Sequence, residues 1–322
     1  MTLLKFFIFL ALFANAFSLE KNLNKGSIFF LTSDFHQEEL DYTPVEIFND
    51  ISNQIYDELG IKEEVTLFIK KQSSGASFDN GSILTVPANF YILSQEVKSF
   101  KSNHHLKAII AHEYGHALLS AKINQEITRS NFLFSSSKEL SKKTIAMEEL
   151  NIEKKSSQIT RERKKEIRFL LAKQRFEASR LYKSILSHPD SERLLDIIPS
   201  YQELYADLIS YLLLEKPTIM SEVLISKNST DIEVEQSFAR SFYMTNTDHS
   251  HKDPHSHLAR TRQFLGAYIE KQNLNNETKK KILNTVTQAI IENLKLRLDN
   301  YELDGSLEKI NQHLIDSISK KL

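Results

Sequence analysis

Apolar positions recur along the chain at two spacings, three-to-four and two, and the longer one dominates. Residues 44–59 carry it, which predicts an amphipathic helix. Two β-rich runs follow, 65–70 and 83–86, with the turn signal Asn80-Gly81 between them, and the pattern predicts an antiparallel hairpin. Residues 106–122 are apolar nearly all round at helical spacing, as suits a helix inside a core. Another helix is predicted to start after Pro199 and run through Leu208, Ile209, Tyr211 and Leu212, with Lys216-Pro217 ending it. Beyond a mixed stretch, 257–271, 277–298 and 306–322 read as three helices, the first two parted by an Asn-rich turn. The expected fold class is α+β, mainly helical, with a small antiparallel β-hairpin or sheet and no tandem repeat.

One stretch departs from this pattern. Residues 138–183 lack glycine and proline, space their apolar residues thinly, and hold 14 Lys/Arg against 7 Asp/Glu. They predict one or two long, mostly solvated helices inserted into the domain, over residues 138–186. A solvated helical hairpin is the plain reading. An arm that gates a cleft or leans on an anionic membrane surface is the functional one.

The start of the chain sets an expected compartment. A basic beginning at Lys5, an apolar run over 6–13 and small residues at Ala14 and Ala16 predict a secretory signal over residues 1–18. The apolar run is shorter than a membrane span requires, although retention as an anchor is the alternative. The expectation is therefore an exported protein, periplasmic or secreted, most naturally bacterial. Zero cysteines exclude disulfides, and about 300 mature residues bury a sufficient core without them. The domain organisation expected is 1–18 signal, 19–271 catalytic domain, and 272–322 a C-terminal helical extension that packs on the core or binds a partner. Net charge is −1, and the basic stretch is diluted with acids, so nucleic acid is not an expected partner.

The chemistry concentrates in His112-Glu113-Tyr114-Gly115-His116. On a helix, His112 and His116 lie one turn apart on one face and can reach one metal ion, while Glu113 projects beside it as a base for a water. Imidazole ligands and an open position suit Zn2+, one per chain. Glu203 and Asp207, again four apart, offer a third ligand and a carboxylate to orient a histidine. Ser200-x-x-Glu203 also fits a capping box, in which Glu203 only caps its own helix. Spacing leaves both roles open.

HExxH followed downstream by Glu203-Leu204-Tyr205-Ala206-Asp207 resembles the gluzincin zinc metallopeptidases of the CaaX prenyl protease and HtpX type. The resemblance implies a zincin-like core, His112, His116 and Glu203 as zinc ligands, Glu113 as general base, and Asp207 supporting a ligand histidine. It extends upstream to 76–87, where Ile83, Leu84, Thr85 and Val86 correspond to an edge strand that pairs with extended peptide substrate. The best-known members span membranes several times, and no second stretch here approaches that length. A His-Pro segment with a following arginine is replaced by Asp253-Pro254-His255, Arg260 and Arg262, so His255, Tyr243 and Arg260 stand as candidates for stabilising an oxyanion. His249, His251, His255 and His257 could alternatively form a second metal site or a plain polar loop.

The function these residues imply is an exported zinc endopeptidase acting on protein or peptide substrates. The alternative is a catalytically weak zinc-binding chaperone or envelope-assembly protein on the same fold. A helical interaction protein with a fortuitous HExxH is the third reading.

Overall fold

The computed structural model describes residues 28–31, 43–70, 75–87, 103–225, 231, 234, 237–243, 254–299 and 306–322. The expected signal segment, His249 and His251 lie outside them. The described chain is mainly helical with one small mixed sheet: β1 (Ile28–Leu31), α1 (Thr43–Leu59), β2 (Thr66–Lys70), β3 (Ser77–Phe78), β4 (Ile83–Pro87), α2 (Asn103–Glu126), α3 (Asn131–Lys155), α4 (Arg161–Ser187), α5 (Ser191–Leu214), α6 (Ile219–Leu224), α7 (Ala259–Ile269), α8 (Asn276–Asp299) and α9 (Leu307–Ser319). No helix among the described residues is long and apolar enough to cross a membrane.

The sheet corrects the hairpin expectation. Strand order is β1-β2-β4-β3, and β2 pairs with β4 in parallel, Thr66 opposite Ile83. The antiparallel partner of β4 is the two-residue β3, with Ser77 opposite Thr85. Asn80-Gly81 does turn the chain, but between β3 and β4. Asp79 builds the turn: its Oδ1 accepts from Gly81 N and Ile83 N at 2.9 Å each, and Asn80 sits at φ 59. Ile83, Leu84, Thr85 and Val86 are therefore buried in an interior strand paired with β2 along its length, Leu84 and Thr85 pair with β3 on the other side, and β3 holds the edge. The β-rich run at 83–86 gave no hint that so short a strand would cover it.

α2 and α5 form the centre. Seventeen of the 24 residues of α5 are buried, so its apolar pattern does not begin at Ser200. The helix starts at Ser191 and carries Pro199 inside it, leaving the Leu195 carbonyl without its usual donor on a side where Leu195 is exposed. Ser200 is thus interior, its Oγ 2.7 Å from His257 Nδ1, and the capping-box reading of Glu203 fails. α2 crosses α5 closely at Gly115, where a Cβ would lie 2.7 Å from Ala206 Cα. Ser210 Oγ donates to Ala108 O at 3.0 Å across the same pair.

Around this pair the core is continuous. It runs from Ile47 on α1 through β2, β4, α2 and α5 to Ile290 on α8 and Ile318 on α9, so α8 and α9 complete the core. The 138–186 segment is an antiparallel pair of helices, α3 and α4, as its composition predicts. Its first part belongs to the body of the fold. Ser141 Oγ donates to Asp79 Oδ2 at 2.6 Å and accepts from Ser82 N, and Lys138 Nζ meets Glu63 Oε1 at 2.9 Å.

Candidate metal centre

The buried crossing of α2 and α5 brings three ligand types together. His112 and His116 stand one turn apart on α2, Nε2 to Nε2 2.9 Å. Glu203 of α5 faces both, with Oε2 3.3 Å from His112 Nε2 and Oε1 3.5 Å from His116 Nε2. Their ligand atoms all lie within 4.8 Å of one another, and among the described residues this is the grouping that could hold a metal ion. The donor set is two imidazoles and one carboxylate, which suits zinc. Glu203 Oε2 is buried and accepts no well-directed hydrogen bond, so the pocket contains an acceptor that a cation would satisfy. The residues fit a metal.

Asp207 lies one turn below Glu203, fully buried. Its Oδ1 sits 3.0 Å from His112 Nδ1, which fixes the ring and directs Nε2 toward Glu203. Two arginines hold Asp207 in turn. Arg240 Nη2 donates to Oδ1 at 2.6 Å, and Arg262 Nε donates to Oδ2 at 2.9 Å while its Nη1 donates to His255 O. Arg240 Nη2 is also 3.1 and 3.0 Å from the two ring nitrogens of His112 and 3.2 Å from Glu203 Oε2. Near-equal distances to both nitrogens place this guanidinium against the ring, away from the line of either lone pair. Its remaining nitrogen, Nη1, has no acceptor among the described residues.

The site's electrostatics follow from burial and these pairs. Burial and Arg240 push the His112 pKa down, but the bonds to Asp207 and Glu203 outweigh them and raise it to about 9. Burial holds His116 down at about 3, helped by the neighbouring His112 and Arg240 charges. Burial raises the Glu113 carboxyl above its ordinary value. Glu203 and Asp207 go the other way: burial opposes ionisation, yet surrounding positive charge keeps both well below the carboxylate range.

The centre opens on a cleft of about 480 Å³. One wall is polar, with His112, Glu113, His116, Glu203, Arg240 and His255; the other presents Phe78, Ile109, Met220, Val223 and Leu224. β3 forms part of the rim, and Gln202 Nε2 ties α5 to the turn beside it by donating to Asn80 Oδ1 at 2.8 Å.

The sequence-predicted residues divide cleanly. His112, Glu113, His116, Glu203 and Asp207 come together, and His255 joins them with Nε2 3.3 Å from Glu203 Oε1. Tyr243 does not line the cleft and is 65 % exposed. Arg260 turns outward to Glu308 at 3.1 Å. His257 pairs with Ser200, away from His255's partner Glu203. Arg240 is the residue that spacing missed, and Arg262, named with the segment after Pro254, was not assigned its role on Asp207. The one available signal was Arg240 standing between buried Ala239 and Phe242, where an arginine needs a carboxylate partner.

Comparison with known proteins returns no match: no family model, curated protein or solved structure matches this chain.

Proposed function

We propose that the chain is an exported metal-dependent endopeptidase of gluzincin type, with a zincin-like core and zinc as its ion. The observation that carries the reading is the convergence of His112, His116 and Glu203 beside Glu113 in an open cleft. A divalent cation held there supplies Lewis acidity, acidifying a water and polarising a carbonyl. The protein's own residues do the rest. Asp207 and the two arginines hold His112 in one orientation. Glu113, as the carboxylate, takes the proton from the attacking water and passes it to the leaving amine, and burial makes it a stronger base than an ordinary carboxylate. Arg240 Nη1 offers the cleft one donor for the substrate carbonyl oxygen. With Nε and Nη2 already engaged, it cannot fork onto a carboxylate, which favours cleavage within a chain over removal of a C-terminal residue.

The edge strand β3 gives an extended peptide a place to pair, and the apolar wall beside it suits a non-polar side chain. The intact Glu113 in the cleft weighs against a chaperone that has lost turnover. The test is metal content by plasma mass spectrometry of the wild-type chain beside His116→Ala, followed by hydrolysis of quenched peptide libraries. Near one zinc per chain, lost in the variant, with hydrolysis abolished in Glu113→Gln, supports the reading. No retained metal after reloading sinks it.

A further inference from the structure

Helix α4 has two unlike faces. Ile167, Leu171 and Ile185 are buried on one. The opposite face is exposed, yet it holds Phe169 at 69 % and Phe176 at 65 %, while the exposed Tyr182 and Leu186 flank the buried side. Phe169 and Phe176 are two helical turns apart and share one stripe. Lys165, Lys173, Arg180 and Lys183 fall three, four or seven residues from one or the other, and so surround them on that stripe.

The charges around this face are one-sided. Seven lysines and arginines lie between residues 164 and 183, against two acids. Glu166 pairs with Arg163 at 2.8 Å, and Glu177 bonds Lys143 of α3 while it also attracts Lys173 and Arg180. No carboxylate among the described residues lies within ion-pair distance of Lys165, Lys173, Arg180 or Lys183. A merely solvated helix face has no reason to set an excess of cations around exposed phenyl rings. A bilayer interface does: rings enter the headgroup boundary while the cations meet lipid phosphate.

We propose that the outer face of α4 is a docking surface for an anionic lipid bilayer. It goes beyond the peptidase reading and stands independently of the metal centre. The occupant follows from charge complementarity: a row of cations in excess of the acids around it calls for a surface of many negative charges, and the phenyl rings call for an apolar layer just beneath it. Lying flat along α4, a membrane would meet the whole stripe from Lys165 to Lys183.

The test is co-sedimentation of the full chain with vesicles of pure phosphatidylcholine and with vesicles holding about 30 % phosphatidylglycerol. The wild type should partition onto the anionic vesicles and release as salt rises. Phe169→Ser with Phe176→Ser should lower that partition about a hundredfold, since each ring contributes about tenfold or more. Reversing Lys165, Lys173, Arg180 and Lys183 to Glu should remove the preference for anionic lipid, at about fivefold or more per residue. Because all six positions are exposed, circular dichroism and the unfolding midpoint should stay unchanged, which separates lost docking from lost fold. Failure of the wild type to bind overturns the proposal, as does equal binding by both variants. So does a phenylalanine-dependent dimer in sedimentation velocity without vesicle binding, which would make a second copy the occupant.

Discussion

Gly115→Ala tests whether the close crossing of α2 and α5 sets the metal centre. In a helix interior the exchange should stabilise by up to about 1 kcal/mol, because alanine loses less backbone entropy. Here the new Cβ would meet Ala206 Cα at 2.7 Å, Ala206 Cβ at 3.2 Å and Ile209 Cγ1 at 3.5 Å. Carbon atoms pack at about 3.5–4.0 Å, so the helices must part by roughly 1 Å at this point. Overpacking of this kind costs about 1–3 kcal/mol, which leaves a net loss of about 0–2 kcal/mol. The geometric effect is larger. Gly115 sits between the two ligand histidines, and Ala206 sits between Glu203 and Asp207, so the separation falls on the ligand set itself. Metal sites tolerate about 0.2 Å in ligand distance, and zinc affinity should drop about ten- to a hundredfold. Competition titration against a chelating dye measures the affinity, and urea denaturation the stability. Ala206→Gly cannot restore the site, because the tightest contact is to Cα. If Gly115→Ala binds zinc within twofold of wild type and unfolds at higher urea, the crossing does not set the site and the argument fails.

Glu113→Gln should lower peptide hydrolysis by about two to four orders of magnitude while metal content and unfolding midpoint hold. Asp207→Asn should destabilise by about 3–5 kcal/mol in urea, because it leaves Arg240 and Arg262 buried with their shared carboxylate gone. Combining it with Arg262→Met should recover part of that loss; a double variant as unstable as the sum of the singles would show that the two groups are not coupled. Lys279 ties α8 to α1 and to the end of α5, Nζ 2.8 Å from Glu58 Oε2 and 2.8 Å from Glu215 Oε1. Burial pulls its pKa down, but these two bonds win and raise it. A raised lysine contributes its stability below the ordinary lysine value and loses it as pH climbs through the folded one. Lys279→Met should cost about 2 kcal/mol at neutral pH, and the gap to wild type should close in strongly alkaline urea titrations.

The helices were legible because their signal is local. Apolar spacing in the chain marks α1, α2, α8 and α9 to within a few residues, and the charged, glycine-free stretch marks the α3–α4 pair. HExxH and ExxAD were legible for the same reason, since each fixes its own side chains to one helix face. What spacing could not supply was pairing between distant segments. Parallel pairing of β2 with β4 depends on the chain path between them, and a two-residue strand such as β3 has no periodicity to detect. The start of α5 was misjudged because Pro199 is a strong local break that burial of Leu194, Ile197 and Ile198 overrides. Arg240 and Arg262 reach Asp207 from 33 and 55 residues away, and no motif joins them.

That last arrangement explains why so much charge is buried at one point. Buried ion pairs are poor devices for stability, since desolvation offsets most of their attraction. Asp207 with two arginines makes better sense as a device for orientation. A carboxylate alone could hold His112 Nδ1, but it could rotate, and in this interior an isolated charge would protonate instead. Arg240 donates to Oδ1 and at 3.3 Å to Oδ2, and Arg262 donates to Oδ2, so both oxygens are fixed and the ionised form is kept. His112 is then held from below by Asp207 and from its face by Arg240, and its Nε2 has one direction left, toward Glu203 and the cleft. Arg262 also binds the carbonyl of His255, which couples this frame to the loop that carries His255 over Glu203. The two arginines thus link three segments of chain to one imidazole and fix its orientation.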